Sequence, residues 1–167
     1  MKIKSAKGFS LIEILIVTVI MAILMSMAVP TFNKFRDNTN LREAARGISS
    51  DIQEYRQRAI SENIHYRINF DAAGNIYTIR RETVLDSDTY ADVMTKNVGA
   101  SNANIVISGT PSFSGGVPHV IFNPRGTTGA GSLDLIHIIR HVPPNSLCKA
   151  TITTTTMGRV RVTYEIK

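Results

Sequence analysis

The chain has a single cysteine, Cys148, among 167 residues. One thiol cannot close an internal disulfide, so the fold does not rest on one even outside the cytoplasm, and no cysteine-based zinc site can be built. Histidine is also scarce: His65, His119, His137 and His141. His137 and His141 are four apart, the spacing that shares a helix face, but LDLIHIIR around them reads as a strand. No acidic cluster accompanies them, so they read as surface or edge-strand residues and no metal is implied. The carboxylates between Glu62 and Glu165 (Asp71, Glu82, Asp86, Asp88, Asp92, Asp134) fall mostly in expected loops and suggest no paired acid and base. Neither a serine elbow nor a Cys-His pattern is present. The glycine-rich stretch from Asn123 to Ser132 lacks Gly-Lys-Ser/Thr and is followed by a strand pattern, so no helix N-terminus is there to hold a phosphate. These absences argue against an enzyme, and no cofactor is called for.

What the chain does have is concentrated at its two ends. Apolar residues are 43% of the whole, and a large share lies between Phe9 and Val29, FSLIEILIVTVIMAILMSMAV. Its length suits a helix crossing a bilayer, where about 20 apolar residues are needed. Lys2, Lys4 and Lys7 precede it and favour a cytoplasmic N-terminus. The net charge of +6 is otherwise carried by the last third. From His119 to Lys167 there are six basic residues against Asp134 and Glu165.

Glu13 is the anomaly. A carboxylate inside a membrane segment is costly unless it is paired or neutralised, and nothing nearby in sequence can neutralise it. Either it snorkels to the interface, or it waits for a cation from another subunit. Ser26-Met27-Ala28 is a small-x-small triplet of the kind cut in ordinary signal peptides. Against that reading, the apolar run is long for such a signal and contains an early glutamate.

Beyond Pro30, residues Leu41, Ala44, Ala45, Ile48, Ile52, Tyr55, Ala59 and Ile60 recur at helical spacing. Arg42, Glu43, Arg46, Asp51, Glu54, Arg56 and Arg58 between them make a charged, solvated face. Asn38-Thr39-Asn40 marks a place for a local break. From Ile64 the pattern turns to strands. His65 to Phe70 and Ile76 to Arg80 flank the turn Asp71–Asn75 as a hairpin. Residues 86 to 102 read as a polar surface loop. Further strands are expected at Ile105–Ile107, Val117–Phe122, Leu133–Arg140, Cys148–Thr154 and Arg159–Ile166, the last two as a hairpin around Thr156-Met157-Gly158. The predicted fold is α+β, a long N-terminal helix, transmembrane then amphipathic, packed on an antiparallel β-sheet head. The expected divisions are residues 1–8, 9–30, 31–62 and 63–167. In the final strand Arg159 and Arg161 share one face while Val160 and Val162 face the core. Two guanidiniums side by side suit a phosphate backbone; the plainer reading is a charged strand face guarding a sheet edge.

Gly8-Phe9-Ser10-Leu11-Ile12-Glu13, behind a basic leader and ahead of an apolar run ending at Pro30, resembles the processing motif of type IV pilins and type II secretion pseudopilins. The resemblance implies a leader, 1–8, removed by a prepilin peptidase between Gly8 and Phe9, and methylation of the new Phe9 amino group. It implies that Glu13 pairs with the Phe9 amine of a neighbouring subunit, and that the helix bends near Pro30. It places the anchor in the bacterial inner membrane, the head in the periplasm and the filament in the periplasm or at the cell surface. Phe122-Asn123-Pro124-Arg125-Gly126, followed by a glycine-rich turn and a strand, is similar to the pseudopilin H (GspH) and FimT-type minor pilins. Gly158-Arg159-Val160-Arg161 resembles a Gly-Arg-x-Arg motif of FimT-type minor pilins that bind DNA in natural transformation. Three roles follow: a minor subunit supporting protein secretion or pilus biogenesis, a DNA-binding minor pilin, or a major structural pilin.

Overall fold

The computed structural model describes residues 9–84, 87–100, 104–142, 145–146 and 148–166. One helix and ten strands are present among them. Helix α1 spans Leu11–Glu62. The strands are β1 (Tyr66–Asp71), β2 (Ile76–Val84), β3 (Thr89–Asn97), β4 (Ile105–Phe113), β5 (His119–Phe122), β6 (Gly131–His137), β7 (His141–Val142), β8 (Asn145–Ser146), β9 (Cys148–Thr154) and β10 (Val160–Ile166). The chain divides into two compact units, residues 1–36 and 37–167.

In the first unit, Leu11 to Ser26 are exposed throughout, and α1 is long and apolar enough there to cross a membrane. The amides of Glu13 and Ile14 both donate to the Ser10 carbonyl (3.0 and 3.2 Å), which opens the helix. Phe32 and Phe35 are exposed as well.

In the second unit α1 carries a single apolar stripe, Leu41, Ala45, Ile48, Ile52, Tyr55 and Ala59, all buried. Their spacing of four and three keeps them on one side of the helix. Ile60, read as part of that stripe, is exposed, because the helix is about to end. Asn63 adopts a left-handed conformation (φ 55°), and the Ile64 amide returns to the Ala59 carbonyl at 3.3 Å, a common way to close a helix. The expected break at Asn38–Asn40 does not occur. The Asn38 Oδ1 instead accepts from Arg140 Nη1 at 2.6 Å, so this carboxamide is engaged by the head rather than competing for its own backbone.

The head has two antiparallel four-stranded sheets, in the orders β3-β2-β1-β5 and β10-β9-β6-β4, with β7 and β8 as a small separate pair. Inward residues of both sheets join the helix stripe in one core: Ile68, Phe70, Tyr77 and Ile79 from the first, Ile105, Leu133, Leu135, Ala150 and Ile152 from the second. Asn75, left-handed at the tip of the β1–β2 hairpin, ties the two sheets together. Its side chain donates to the Ile105 carbonyl (2.8 Å) and accepts from the Ile107 amide (3.0 Å).

Four sequence expectations are corrected. Residues 89–97 form β3 rather than a loop; it is a sheet edge and mostly exposed, so it never needed the apolar alternation that marks a half-buried strand. Asp51 is buried, not on a solvated face. Lys96 Nζ donates to both of its oxygens (2.9 and 2.8 Å) and the Tyr77 hydroxyl to one of them (2.6 Å). Burial, and then this carboxylate, push the Tyr77 hydroxyl far above its ordinary pKa, so it stays a donor. Glu82 is likewise a buried strand residue, paired with His65 Nδ1 at 2.7 Å. Burial raises its pKa, but the hydrogen bond and charge of His65 outweigh that and leave it lowered. His137 is neither at the surface nor on an edge: it ends the central strand β6, is 2% exposed, and lies 3.5 Å from Asp37 Oδ1.

Candidate functional site

Two parts of the chain carry the chemistry read from the sequence, one in each unit. In the first, Phe9 is exposed and Glu13 sits in the opening turn of α1. Gly8 and the leader, 1–8, lie outside the described residues. Glu13 and the side chains around it from Leu11 to Ser26 are all exposed. In an aqueous protein such a surface would be untenable, whereas in lipid it is the ordinary state of a spanning helix. The carboxylate is then the only charge along that span.

The second part is the hairpin between β9 and β10 with the loop beside it. The turn is closed by the Gly158 amide on the Thr155 carbonyl (2.8 Å) and the Thr155 amide on the Arg159 carbonyl (3.0 Å). Arg159 therefore lies just before β10, not in it, and Arg161 is inside the strand. Both are exposed, while Val160, Val162, Tyr164 and Ile166 pack against the core. The alternation read from the sequence is correct. β10 is an edge strand, so its outward face, Arg161, Thr163 and Glu165, is open along its length.

A residue with no sequence signal fixes this hairpin. Arg56, on α1, donates from Nε to the Gly126 carbonyl (2.8 Å) and from Nη2 to the Met157 carbonyl (3.2 Å). It holds two turns that are 31 residues apart against the same point on the helix. The turns are also joined directly. The Thr128 amide donates to the Thr156 carbonyl (3.1 Å) and its hydroxyl to the Thr155 carbonyl (2.8 Å). Gly126 and Gly158 both have positive φ (81° and 75°). A Cβ on Gly158 would collide with the Arg56 guanidinium, and one on Gly126 would press on Ile60. These glycines are required twice, for backbone conformation and for the approach of Arg56. The clamp sets exposed Arg125 on the loop that is bonded to the Arg159 turn. In the sequence Arg56 is one basic residue among several on a polar face, and nothing there distinguishes it.

Among the described residues no three histidines, cysteines or carboxylates gather as metal ligands. Cys148 is free and buried. The His65–Glu82 pair is a closed local ring, since the Glu82 amide also donates to the His65 carbonyl (3.0 Å); it secures the start of β1 against β2.

Residues 3–29 match the prokaryotic N-terminal methylation motif, and residues 44–162, most of the chain, match the type II transport protein GspH. The chain belongs to the GspH family. The fold of this GspH-family chain is shared with solved minor subunits. Two structures of the minor pseudopilin EpsH from the type II secretion system of Vibrio cholerae superpose with TM-scores of 0.59 and 0.61 at 10% identity. They cover 75% and 77% of this chain and 97% and 98% of theirs. The type IV minor pilin FimU of Pseudomonas aeruginosa gives a TM-score of 0.55 at 16% identity, over 77% of this chain and 92% of that one. No curated sequence matches the chain closely enough to count as a relative. Methylation motif, GspH region and pilin-like fold together give the chain a role in pseudopilus or pilus assembly.

The Arg56 clamp generates a prediction. Gly158→Ala should destabilise the head by about 2 kcal/mol through backbone strain and collision. In an Arg56→Ala background the collision is gone and the added cost should fall to about 1 kcal/mol. Chemical denaturation of the four proteins of the cycle measures this; equal costs in both backgrounds would mean that Arg56 does not clamp the turn.

Proposed function

We propose that this chain is a minor subunit of a type II secretion pseudopilus or a type IV pilus, supporting protein secretion or pilus biogenesis, with no catalytic role of its own. A prepilin peptidase cuts between Gly8 and Phe9 and the new Phe9 amine is methylated. The anchor, Phe9 to Pro30, holds the chain in the bacterial inner membrane with the head in the periplasm. Glu13 then pairs with the Phe9 amine of a neighbouring subunit as the chain enters the filament. The observation that carries this reading is Glu13 as the sole charge on the exposed apolar span Leu11 to Ser26, inside a segment that matches the methylation motif. A lone carboxylate in lipid is costly, and a cation delivered by a neighbour removes that cost only on assembly.

The exposed Arg159 and Arg161 on a clamped hairpin support a second reading, a minor pilin that contacts DNA during uptake. Arg161 stands on an open edge strand and Arg159 in the turn just before it, with exposed Arg125 on the adjoining loop. No observation favours the third role, a major structural pilin.

For the first reading, Glu13→Ala should leave the chain processed and membrane-bound but depleted from filaments by about tenfold or more, since as little as 1.4 kcal/mol per contact gives that factor. Quantifying the subunit in sheared filament fractions measures this; wild-type incorporation would contradict the pairing. For the second, DNA binding by the fragment Asn33–Lys167 should weaken with salt, and Arg159→Ala/Arg161→Ala should reduce the log–log salt slope by about 2. Absence of binding at low salt would leave the arginines as a solvated edge.

A further inference from the structure

The turn between β6 and β7 presents two consecutive isoleucines to solvent, Ile138 at 48% and Ile139 at 66% exposure. The turn is not loose. The Ile138 amide donates to the Asn104 carbonyl (2.8 Å) and the Arg140 amide to the His137 carbonyl (3.0 Å). Arg140 Nη1 donates to Asn38 Oδ1 (2.6 Å), and His137, just before the turn, is buried beside Asp37 (3.5 Å). Two large aliphatic side chains are thus held outward by a fixed backbone, a placement that costs free energy in water.

The direction of β6 shows which end of the head this is. Its first residue, Gly131, pairs with Thr154 at the end of β9, next to the hairpin turn that Arg56 holds. Its last residue, His137, lies beside Asp37. β6, about 20 Å long, therefore runs back along the helix toward Asp37, away from the turn that Arg56 holds. Ile138 and Ile139 follow His137 directly in the turn, at the end where the chain enters the head. In sequence, Asp37 follows the last residue of the apolar run, Val29, by only eight positions. Between them come exposed Phe32 and Phe35 with Lys34 and Arg36, the aromatic and basic mixture that settles at a bilayer interface.

We propose that Ile138 and Ile139 are a second membrane contact: the β6–β7 turn dips into the headgroup–acyl boundary and docks the head on the lipid surface before assembly. The inference rests on the reading of Phe9 to Pro30 as a membrane anchor. Two isoleucines alone would bind lipid weakly, but the anchor keeps the turn at a high effective concentration over the bilayer. Docked this way, the head has a defined orientation, and it must release the turn when the subunit is drawn into a filament.

The test uses the full chain in vesicles of phosphatidylethanolamine and phosphatidylglycerol, with an environment-sensitive nitrobenzoxadiazole label at one introduced cysteine. The three sites are Ile139→Cys in the turn, Ile20→Cys in the anchor and Met157→Cys at the opposite end of the head. Cys148 stays in place, being buried, and the unlabelled parent chain serves as the blank. With phospholipids spin-labelled high on the acyl chain, the label at 139 should be blue-shifted and quenched severalfold more than the label at 157. Adding Ile138→Asp should remove most of that quenching. If 139 is as unquenched as 157 while 20 is quenched, the docking proposal is overturned and the anchor stands. If 20 is unquenched, the anchor reading fails and takes the proposal with it. A blue shift at 139 without quenching would show that protein, not lipid, covers the turn. Quenching unchanged by Ile138→Asp would show that the label drives its own insertion. Either result overturns the proposal.

Discussion

The constraint on which this structure depends is that one helix meets two solvents. Over Leu11 to Ser26, α1 is apolar on every side, as a lipid-facing helix must be. Over Leu41 to Ala59 it is apolar along a single stripe, and both sheets of the head pack on that stripe. Each half departs from its rule at one acidic residue, and the two departures are resolved differently. Asp51 breaks the buried side of the head and is answered within the chain, by Lys96 and Tyr77. Glu13 breaks the lipid-facing surface, and the proposed answer comes from another chain. The head is thereby complete by itself, while the anchor is not.

The polar contacts between α1 and the strands sit at the ends of the head. Asp37 and Asn38 meet His137 and Arg140 where the chain enters. Arg56 gathers the Gly126 and Met157 turns near the helix's other end. The middle is apolar apart from the Asp51 cluster. This arrangement fixes the two ends of β6 and β9 along the helix, and with them the outward elements at each end: the isoleucine turn at one, the basic hairpin at the other. Surface features of different chemistry are thus held at opposite ends of the head.

Much of this was legible in the sequence, for physical reasons. The spacing of Gly8, Phe9 and Glu13 ahead of an apolar run is a pattern with few alternatives. The stripe from Leu41 to Ala59 and the alternation in Val160–Ile166 each follow from one face being buried. What the sequence hid was whatever depended on partners distant in the chain. β3 is polar because it is an edge. β4 extends beyond Ile107 through Gly109 and Pro111, with a break in its pairing between Ser108 and Ser112, and those residues disguise a strand. Asp51, Glu82 and His137 are polar types whose burial is decided by Lys96, His65 and the base of the helix. Arg56 reads as one more surface arginine until Gly126 and Gly158 are folded beneath it.

Whether Glu13 can pair with a neighbour's Phe9 amine depends on where the mature chain begins. The most direct measurement is the intact mass of the protein extracted from the membrane of a host that has a prepilin peptidase. The expected product is a chain that starts at Phe9 and carries one added methyl group on its amine. A chain that starts after Ala28 would show an ordinary signal sequence, removed together with Glu13, and would contradict it. So would a chain that keeps its leader in the presence of an active peptidase.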